Sequence, residues 1–147
     1  RQNFNELEET VDELHAAGIT LMDIKPDNML FMCGSDRSIQ LTDLDGSLID
    51  GKGEPHQTLY YTFLKFQEDY VKQDKFALYT SFLEILDPDL WVYRPLLITR
   101  SIKDWTDDAR ERSPNSLATV YLDKLDALEK IESISHASVD SIFKLKL

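Results

Sequence analysis

Residues 14–43 read LHAAGITLMDIKPDNMLFMCGSDRSIQLTD, and this stretch is the most informative part of the chain. Asp23, Lys25 and Asn28 lie close together in it, and Asp43 follows at the end of an apolar run. A carboxylate, a cation, an amide and a second carboxylate are groups that phosphoryl transfer to a hydroxyl requires. The stretch therefore predicts a phosphate-handling site on a loop and on the strand pair that follows the loop.

The same stretch resembles the catalytic loop and the metal-binding strand pair of the eukaryotic-type protein kinase family. The resemblance implies that Asp23 accepts the proton of the substrate hydroxyl and that Lys25 steadies the γ-phosphate of ATP. It also implies that Asn28 and Asp43 bind the Mg²⁺ that accompanies the nucleotide. The expected activity is that of a Ser/Thr-type protein kinase, with ATP and Mg²⁺ as cofactors and a protein as substrate.

Two motifs depart from the family's usual pattern. Residues 21–22 are Leu-Met where the family has His-Arg, so control through an Arg paired with a phosphorylated loop is not expected. Residues 43–46 read Asp-Leu-Asp-Gly in place of Asp-Phe-Gly, and Asp45 would add a ligand to the metal site. These departures leave open a pseudokinase, in which the lobe is kept as an interaction module.

The resemblance covers the large C-terminal lobe of a kinase and none of the small lobe. No Gly-x-Gly-x-x-Gly loop and no Val-Ala-x-Lys strand, the family's nucleotide-gripping motifs, occurs in the 147 residues. The chain opens with Arg1 inside a helical pattern, and we expect residues 1–147 to be a fragment or a shortened form of such a lobe. A small lobe from upstream sequence or from another chain would then be needed, and the chain alone would be inactive.

The sequence pattern predicts a mainly α-helical fold with one small β-hairpin, as in a kinase large lobe. Apolar residues at helical spacing predict an amphipathic helix over residues 4–17, ended by Gly18. Short apolar runs at residues 29–32 and 39–44 flank a turn and predict the hairpin. A strongly apolar stretch at residues 75–86 predicts a buried helix.

Two further positions concern the ends of helices. Asp74 stands just before the predicted buried helix, and it is either the N-cap of that helix or, as the resemblance implies, a carboxylate that supports the catalytic loop. Ser113 followed by Pro114 predicts the N-cap and the first residue of a last helix.

Residues 39–49, IQLTDLDGSLI, also resemble the first motif of the haloacid-dehalogenase-like phosphatases. In that alternative Asp43 is the nucleophile and Asp45 the general acid, with Mg²⁺ between them. Thr99 would bind the phosphate. This alternative requires Asp43 to end the central strand of a parallel sheet, and it leaves the residue 23–28 motif unexplained.

Composition restricts the classes of partner. The net charge of −11 argues against general binding to nucleic acid or to anionic membranes, whose phosphates repel an acidic protein. No apolar run approaches the roughly 20 residues of a membrane span. Cys33 is the only cysteine, so an intrachain disulfide is impossible. We therefore expect an intracellular protein of the cytoplasm or the nucleus.

Overall fold

A computed structural model describes residues 2–33, 38–53, 57–58, 61–93, 101–113 and 115–130 of the chain. Within these ranges the helices are α1 (Gln2–Ala16), α2 (Tyr70–Leu86), α3 (Ile102–Arg112) and α4 (Ser116–Lys130). The strands are β1 (Ile19–Thr20), β2 (Met29–Phe31), β3 (Ile39–Leu41) and β4 (Leu48–Ile49). The fold is mainly helical, as predicted. None of the described helices has the length and apolarity that crossing a membrane requires.

The predicted hairpin is confirmed, although its second strand is shorter than expected. Strands β2 and β3 pair antiparallel, with Met29 opposite Leu41. The Thr42 N–H donates to the Asn28 carbonyl at 2.8 Å, which extends the pairing by one hydrogen bond beyond the strands. Asp43 has a φ of +57°, in the left-handed region, so the chain leaves the extended conformation there. The hairpin therefore places Asn28 beside the residue that precedes Asp43.

A second strand pair was not predicted, because each of its strands has only two residues. Strand β1 pairs antiparallel with β4, with Ile19 opposite Ile49. The Asp50 N–H also donates to the Gly18 carbonyl at 2.7 Å. Gly18 follows α1 with a φ of +83°, a conformation that favours glycine, and it ends the helix region as predicted. This pair ties the segment after Asp43 to the entry of the residue 23–28 loop.

The buried helix α2 forms the centre of the core. It begins at Tyr70, five residues before the predicted start, and the Asp69 carboxylate caps it by accepting from the Lys72 N–H at 3.2 Å. The Phe82 ring of α2 stacks on Phe4 of α1, with 4.2 Å between ring centroids. Tyr121 of α4 packs edge-on against the same Phe82 ring. Helices α1, α2 and α4 therefore share one aromatic cluster. The loop and the hairpin pack against the helices that this cluster holds together.

The predicted cap of the last helix is wrong by two residues. The Asn115 side chain caps α4, since its Oδ1 accepts from the Leu117 N–H at 2.9 Å. Ser113 instead lies at the end of α3, and its hydroxyl donates to Asp87 Oδ2 at 2.6 Å. Pro114 lies outside the described residues.

Glu8 of α1 connects the three core helices through one carboxylate. It accepts hydrogen bonds from Tyr79 Oη of α2 at 2.8 Å and from Lys124 Nζ of α4 at 2.6 and 2.9 Å. Lys75 Nζ lies 3.6 Å away. Burial acts to raise the pKa of Glu8, but the hydrogen bonds and charges of Lys124, Tyr79 and Lys75 together outweigh it, so the pKa lies below the ordinary glutamate value.

This lowered pKa predicts acid sensitivity. Because the folded pKa of Glu8 is below the unfolded value, its contribution to stability is complete above the unfolded value and disappears as the pH falls through the folded value. We expect the free energy of unfolding, measured by urea titration between about pH 3 and pH 7, to fall less steeply toward acid pH in Glu8→Gln. Glu9→Gln, an exposed neighbour on α1, is the matched control. Identical pH profiles for wild type and Glu8→Gln would contradict the prediction.

Candidate functional site

In the loop between β1 and β2, the Asn28 side chain forms hydrogen bonds back to Asp23. A short 3-10 turn covers Pro26–Asn28, and the Asn28 N–H donates to the Lys25 carbonyl at 2.9 Å. The Asn28 amide nitrogen donates to the Asp23 carbonyl at 2.9 Å and lies 3.4 Å from Asp23 Oδ2. Asn28 is 7% exposed, so these bonds are shielded from water. The loop therefore holds the side chains of Asp23, Lys25 and Asn28 in one small region, as the sequence predicts.

Asp23, Lys25 and Thr58 form a connected polar cluster. The Thr58 hydroxyl donates to Asp23 Oδ1 at 2.8 Å and accepts from Lys25 Nζ at 3.0 Å. Lys25 Nζ also lies 3.8 Å from Asp23 Oδ2. A hydroxyl oxygen is thus placed between a carboxylate and an ammonium group. This is an arrangement in which a carboxylate can take a hydroxyl proton while a cation attracts phosphate oxygens.

Thr58 is the member of this cluster that the sequence did not predict. It lies 35 residues after Asp23, in a stretch of sequence that carries no recognisable motif. A single threonine in such a segment is indistinguishable from any exposed hydroxyl residue. Only the folded chain shows that its side chain reaches Asp23.

Asp43 and Asp45 follow the hairpin on its exposed side. Both side chains are exposed, and neither carboxylate has a hydrogen bond or ion pair with any residue that the structure describes. The hydrogen bond from Thr42 N–H to the Asn28 carbonyl brings Asp43 next to the loop. The Asn28 amide nitrogen donates to Asp23, and no described residue donates to Asn28 Oδ1. Asn28 Oδ1 therefore accepts from no described residue, and the Asp43 and Asp45 carboxylates that follow the hairpin are exposed.

These donors fit the ligand preference of Mg²⁺. Magnesium is commonly held by one or two carboxylates, with phosphate oxygens and waters completing the coordination. Within the described part of the chain, no three His, Cys, Asp or Glu side chains converge on a metal site. Asn28 and Asp43, with Asp45 nearby in sequence, are the residues of the loop and hairpin with oxygen atoms that could bind a cation, and phosphate or water would have to complete its coordination.

Asp74 supports the entry of the loop, and its alternative role as an N-cap is wrong because Asp69 caps α2. The Asp74 carboxylate is 1% exposed and accepts from the Leu21 N–H at 2.7 Å and the Met22 N–H at 2.8 Å. His15 Nε2 lies 2.8 Å from its Oδ2. Because Asp23 directly follows these backbone groups, Asp74 sets where the loop begins.

The phosphatase alternative finds no support in the described sheets. It requires Asp43 to end the central strand of a parallel sheet, but β3 pairs antiparallel with β2 in a two-stranded sheet. Thr99, its candidate phosphate-binding residue, lies outside the described residues.

Neither a protein-family model nor a curated protein matches the chain. A function is therefore inferred from the side chains of the loop, the hairpin and Thr58.

Proposed function

We propose that the chain is the large lobe of a protein-kinase-like phosphotransferase. With a small lobe present, it would transfer the γ-phosphate of ATP to a Ser or Thr hydroxyl of a protein. The observation that carries the proposal is the cluster of Asp23, Lys25 and Thr58, in which a hydroxyl donates to the carboxylate and accepts from the ammonium group. The hydroxyl of a substrate needs the same two neighbours.

Each residue has a role that follows from its position. The acceptor hydroxyl oxygen forms a bond to the γ-phosphorus, and the Asp23 carboxylate accepts the proton of that hydroxyl. At the same time the bond between the γ-phosphorus and the oxygen that bridges it to the β-phosphate breaks, and ADP leaves with that oxygen. Lys25 attracts the oxygens of the transferred phosphoryl group. Asn28, Asp43 and Asp45 would hold Mg²⁺, which when bound neutralises charge on the nucleotide phosphates. Asn28 also keeps Asp23 in place through its amide nitrogen.

The exposed apolar side chains beside the site support the need for a second lobe. Leu30 on β2 is 52% exposed, Met32 is 44% exposed, and Leu44, next to Asp43, is 51% exposed. Exposed apolar side chains of this size are typical of surfaces that another protein segment covers when they form one contiguous patch. We propose that a small lobe, from upstream sequence or from another chain, covers this surface and supplies the rest of the nucleotide grip.

The direct test is a transfer assay on the chain together with its small lobe. We expect phosphate from Mg²⁺-ATP to appear on Ser or Thr residues of a general protein substrate. Absence of both transfer and nucleotide binding would favour the pseudokinase, in which the lobe serves only as an interaction module. Hydrolysis of phosphate esters without ATP would favour the phosphatase alternative.

Residues 1–147 alone are predicted to bind Mg²⁺ weakly and ATP hardly at all. Asp43 and Asp45 are exposed and follow Thr42, which bonds to the Asn28 carbonyl, and the net charge is −11, so a cation is attracted and a bare triphosphate is repelled. Isothermal titration calorimetry on the chain checks both ligands, and Asp43→Asn should weaken the Mg²⁺ signal further. Binding of Mg²⁺-ATP with a low-micromolar dissociation constant, about −8 kcal/mol, would show that the second lobe is not needed.

A further inference from the structure

The Gln73 side chain of α2 binds backbone groups of the segment that precedes the helix, and none of the roles above uses it. Its Oε1 accepts from the Phe63 N–H at 2.9 Å, and its Nε2 donates to the Phe63 carbonyl at 2.8 Å and to the Gln67 carbonyl at 3.1 Å. Gln73 is only 3% exposed, so water cannot replace these partners. One amide, with its oxygen and both of its N–H donors bonded, therefore holds residues 63–67 on α2.

The apolar side of the same segment also packs on α2. The Phe63 ring is buried, stacks on Phe76 with 5.4 Å between ring centroids, and lies edge-on to Phe66 at 4.9 Å. Burial of apolar surface is non-directional, so by itself it does not fix the position of the segment along the helix. Hydrogen bonds are directional, and those of Gln73 therefore determine where Phe63 lies on α2.

This segment is joined to Thr58, whose hydroxyl belongs to the polar cluster of the candidate site. The Tyr61 N–H and the Thr62 hydroxyl both donate to the Thr58 carbonyl at 3.0 Å. Thr62 directly precedes Phe63, and the Tyr61 hydroxyl donates to Glu84 of α2 at 2.6 Å. The backbone of Thr58 is therefore attached to α2 through the segment that Gln73 holds, and a displacement of Phe63 would move it.

We propose that Gln73 is a positioning residue. Its amide fixes residues 63–67 on α2, and the bonds to the Thr58 carbonyl pass this placement on to the Thr58 hydroxyl. That hydroxyl in turn orients the Asp23 carboxylate and the Lys25 ammonium group. The contribution to transfer rests on the proposed phosphotransfer function. The coupling from Gln73 to Thr58 does not, and it can be measured on the chain by itself.

The experiment is amide hydrogen exchange, followed by NMR, on wild type and Gln73→Met. Met is apolar and similar to Gln in length, so it fills the same space and leaves the Phe63 N–H without an acceptor. We expect the Phe63 amide to exchange at least about tenfold faster, as loss of a buried acceptor implies. The Tyr61 amide, which bonds to the Thr58 carbonyl, should exchange at least about threefold faster. The Thr42 amide, at the end of the hairpin, should be unchanged.

Tyr79→Phe is the matched control, because it removes one hydrogen bond of the same helix, the bond to Glu8 at 2.8 Å. It should leave the Phe63 and Tyr61 exchange rates unchanged. Unchanged exchange at Phe63 in Gln73→Met would overturn the proposed anchor, and faster exchange at Phe63 alone would overturn its coupling to Thr58. An equal rise at every measured amide would also overturn the proposal, since it would indicate general destabilisation.

If Gln73→Met does not fold, the wild-type Gln73 side chain decides the question. Both of its Nε2 protons are bonded, so they must exchange more slowly than those of Gln40, an exposed glutamine of β3. Equal exchange at the two side chains would overturn the proposal.

In the assembled enzyme Gln73→Met should lower kcat at least about tenfold through lost orientation and leave the KM for ATP unchanged. An unchanged kcat would overturn the role of Gln73 in transfer. Faster exchange at Phe63 and Tyr61 in a protein whose wild type shows no transfer would refute the proposed function, while the coupling from Gln73 to Thr58 stands.

Discussion

Asp23→Asn is expected to lower phosphoryl transfer by the assembled enzyme about 10²–10⁴-fold. Asn has nearly the shape of Asp and can still accept from the Thr58 hydroxyl, which lies 2.8 Å from Asp23 Oδ1. It cannot take up the proton of the acceptor hydroxyl at neutral pH. The loss should therefore appear in kcat, while the KM for ATP changes little, because in the proposed function Asp23 contacts the acceptor hydroxyl and not the nucleotide base.

Asp27→Asn is the matched control for this prediction. Asp27 lies in the same 3-10 turn, is exposed, and has no side-chain partner among the described residues. Its substitution removes the same charge from the same loop and should leave transfer within a factor of about two. Full activity of Asp23→Asn would remove Asp23 from the mechanism. An equal loss in both variants would indicate that only the loop's overall charge matters.

Asp74→Ala is expected to lower the free energy of unfolding by about 3–5 kcal/mol, the usual cost of removing one partner from a buried polar cluster. The substitution leaves the Leu21 and Met22 N–H groups without an acceptor. These groups lie in a buried part of the protein, since Asp74 itself is only 1% exposed. His15 loses its buried partner at the same time. Guanidinium denaturation of the chain, followed by circular dichroism, measures the change.

Asp69→Ala provides the comparison for Asp74→Ala. Asp69 caps the same helix from its end, and loss of an N-cap costs about 1 kcal/mol. The two substitutions remove the same side chain from positions five residues apart, so their difference reports the loop contacts of Asp74. Equal destabilisation by both would mean that Asp74 does not support the loop.

The sequence predicts those parts of the fold that depend on local periodicity. The helix over residues 4–17, the buried helix near residues 75–86 and the hairpin all follow from the spacing of apolar residues, and they differ from the structure only at their ends. The ends of helices are harder to predict, because capping depends on which of several polar side chains reaches a free N–H group. Ser113 and Asn115 are both suitable, and Asn115 is the one that caps α4.

The parts that could not be predicted depend on contacts between distant residues. Thr58 reaches Asp23 across 35 residues, and Asp74 reaches Leu21 across 53. Strands β1 and β4 are too short to give a pattern of their own. The residue types in the candidate site were thus recognisable from the sequence, whereas the groups that hold them in place became visible only in the fold.

The proposed function requires Asn28 and Asp43 to bind one cation beside Asp23 and Lys25. The most direct measurement is an NMR titration of the chain with Mn²⁺, which prefers the same oxygen ligands as Mg²⁺ and broadens signals of nearby nuclei. A shared site predicts that the Asn28 side-chain amide and the Asp43 backbone amide broaden together at the lowest Mn²⁺ concentrations. It also predicts that Asn28→Ala and Asp43→Asn each weaken the effect. Broadening centred on Asp43 and Asp45 that Asn28→Ala leaves unchanged would contradict the claim.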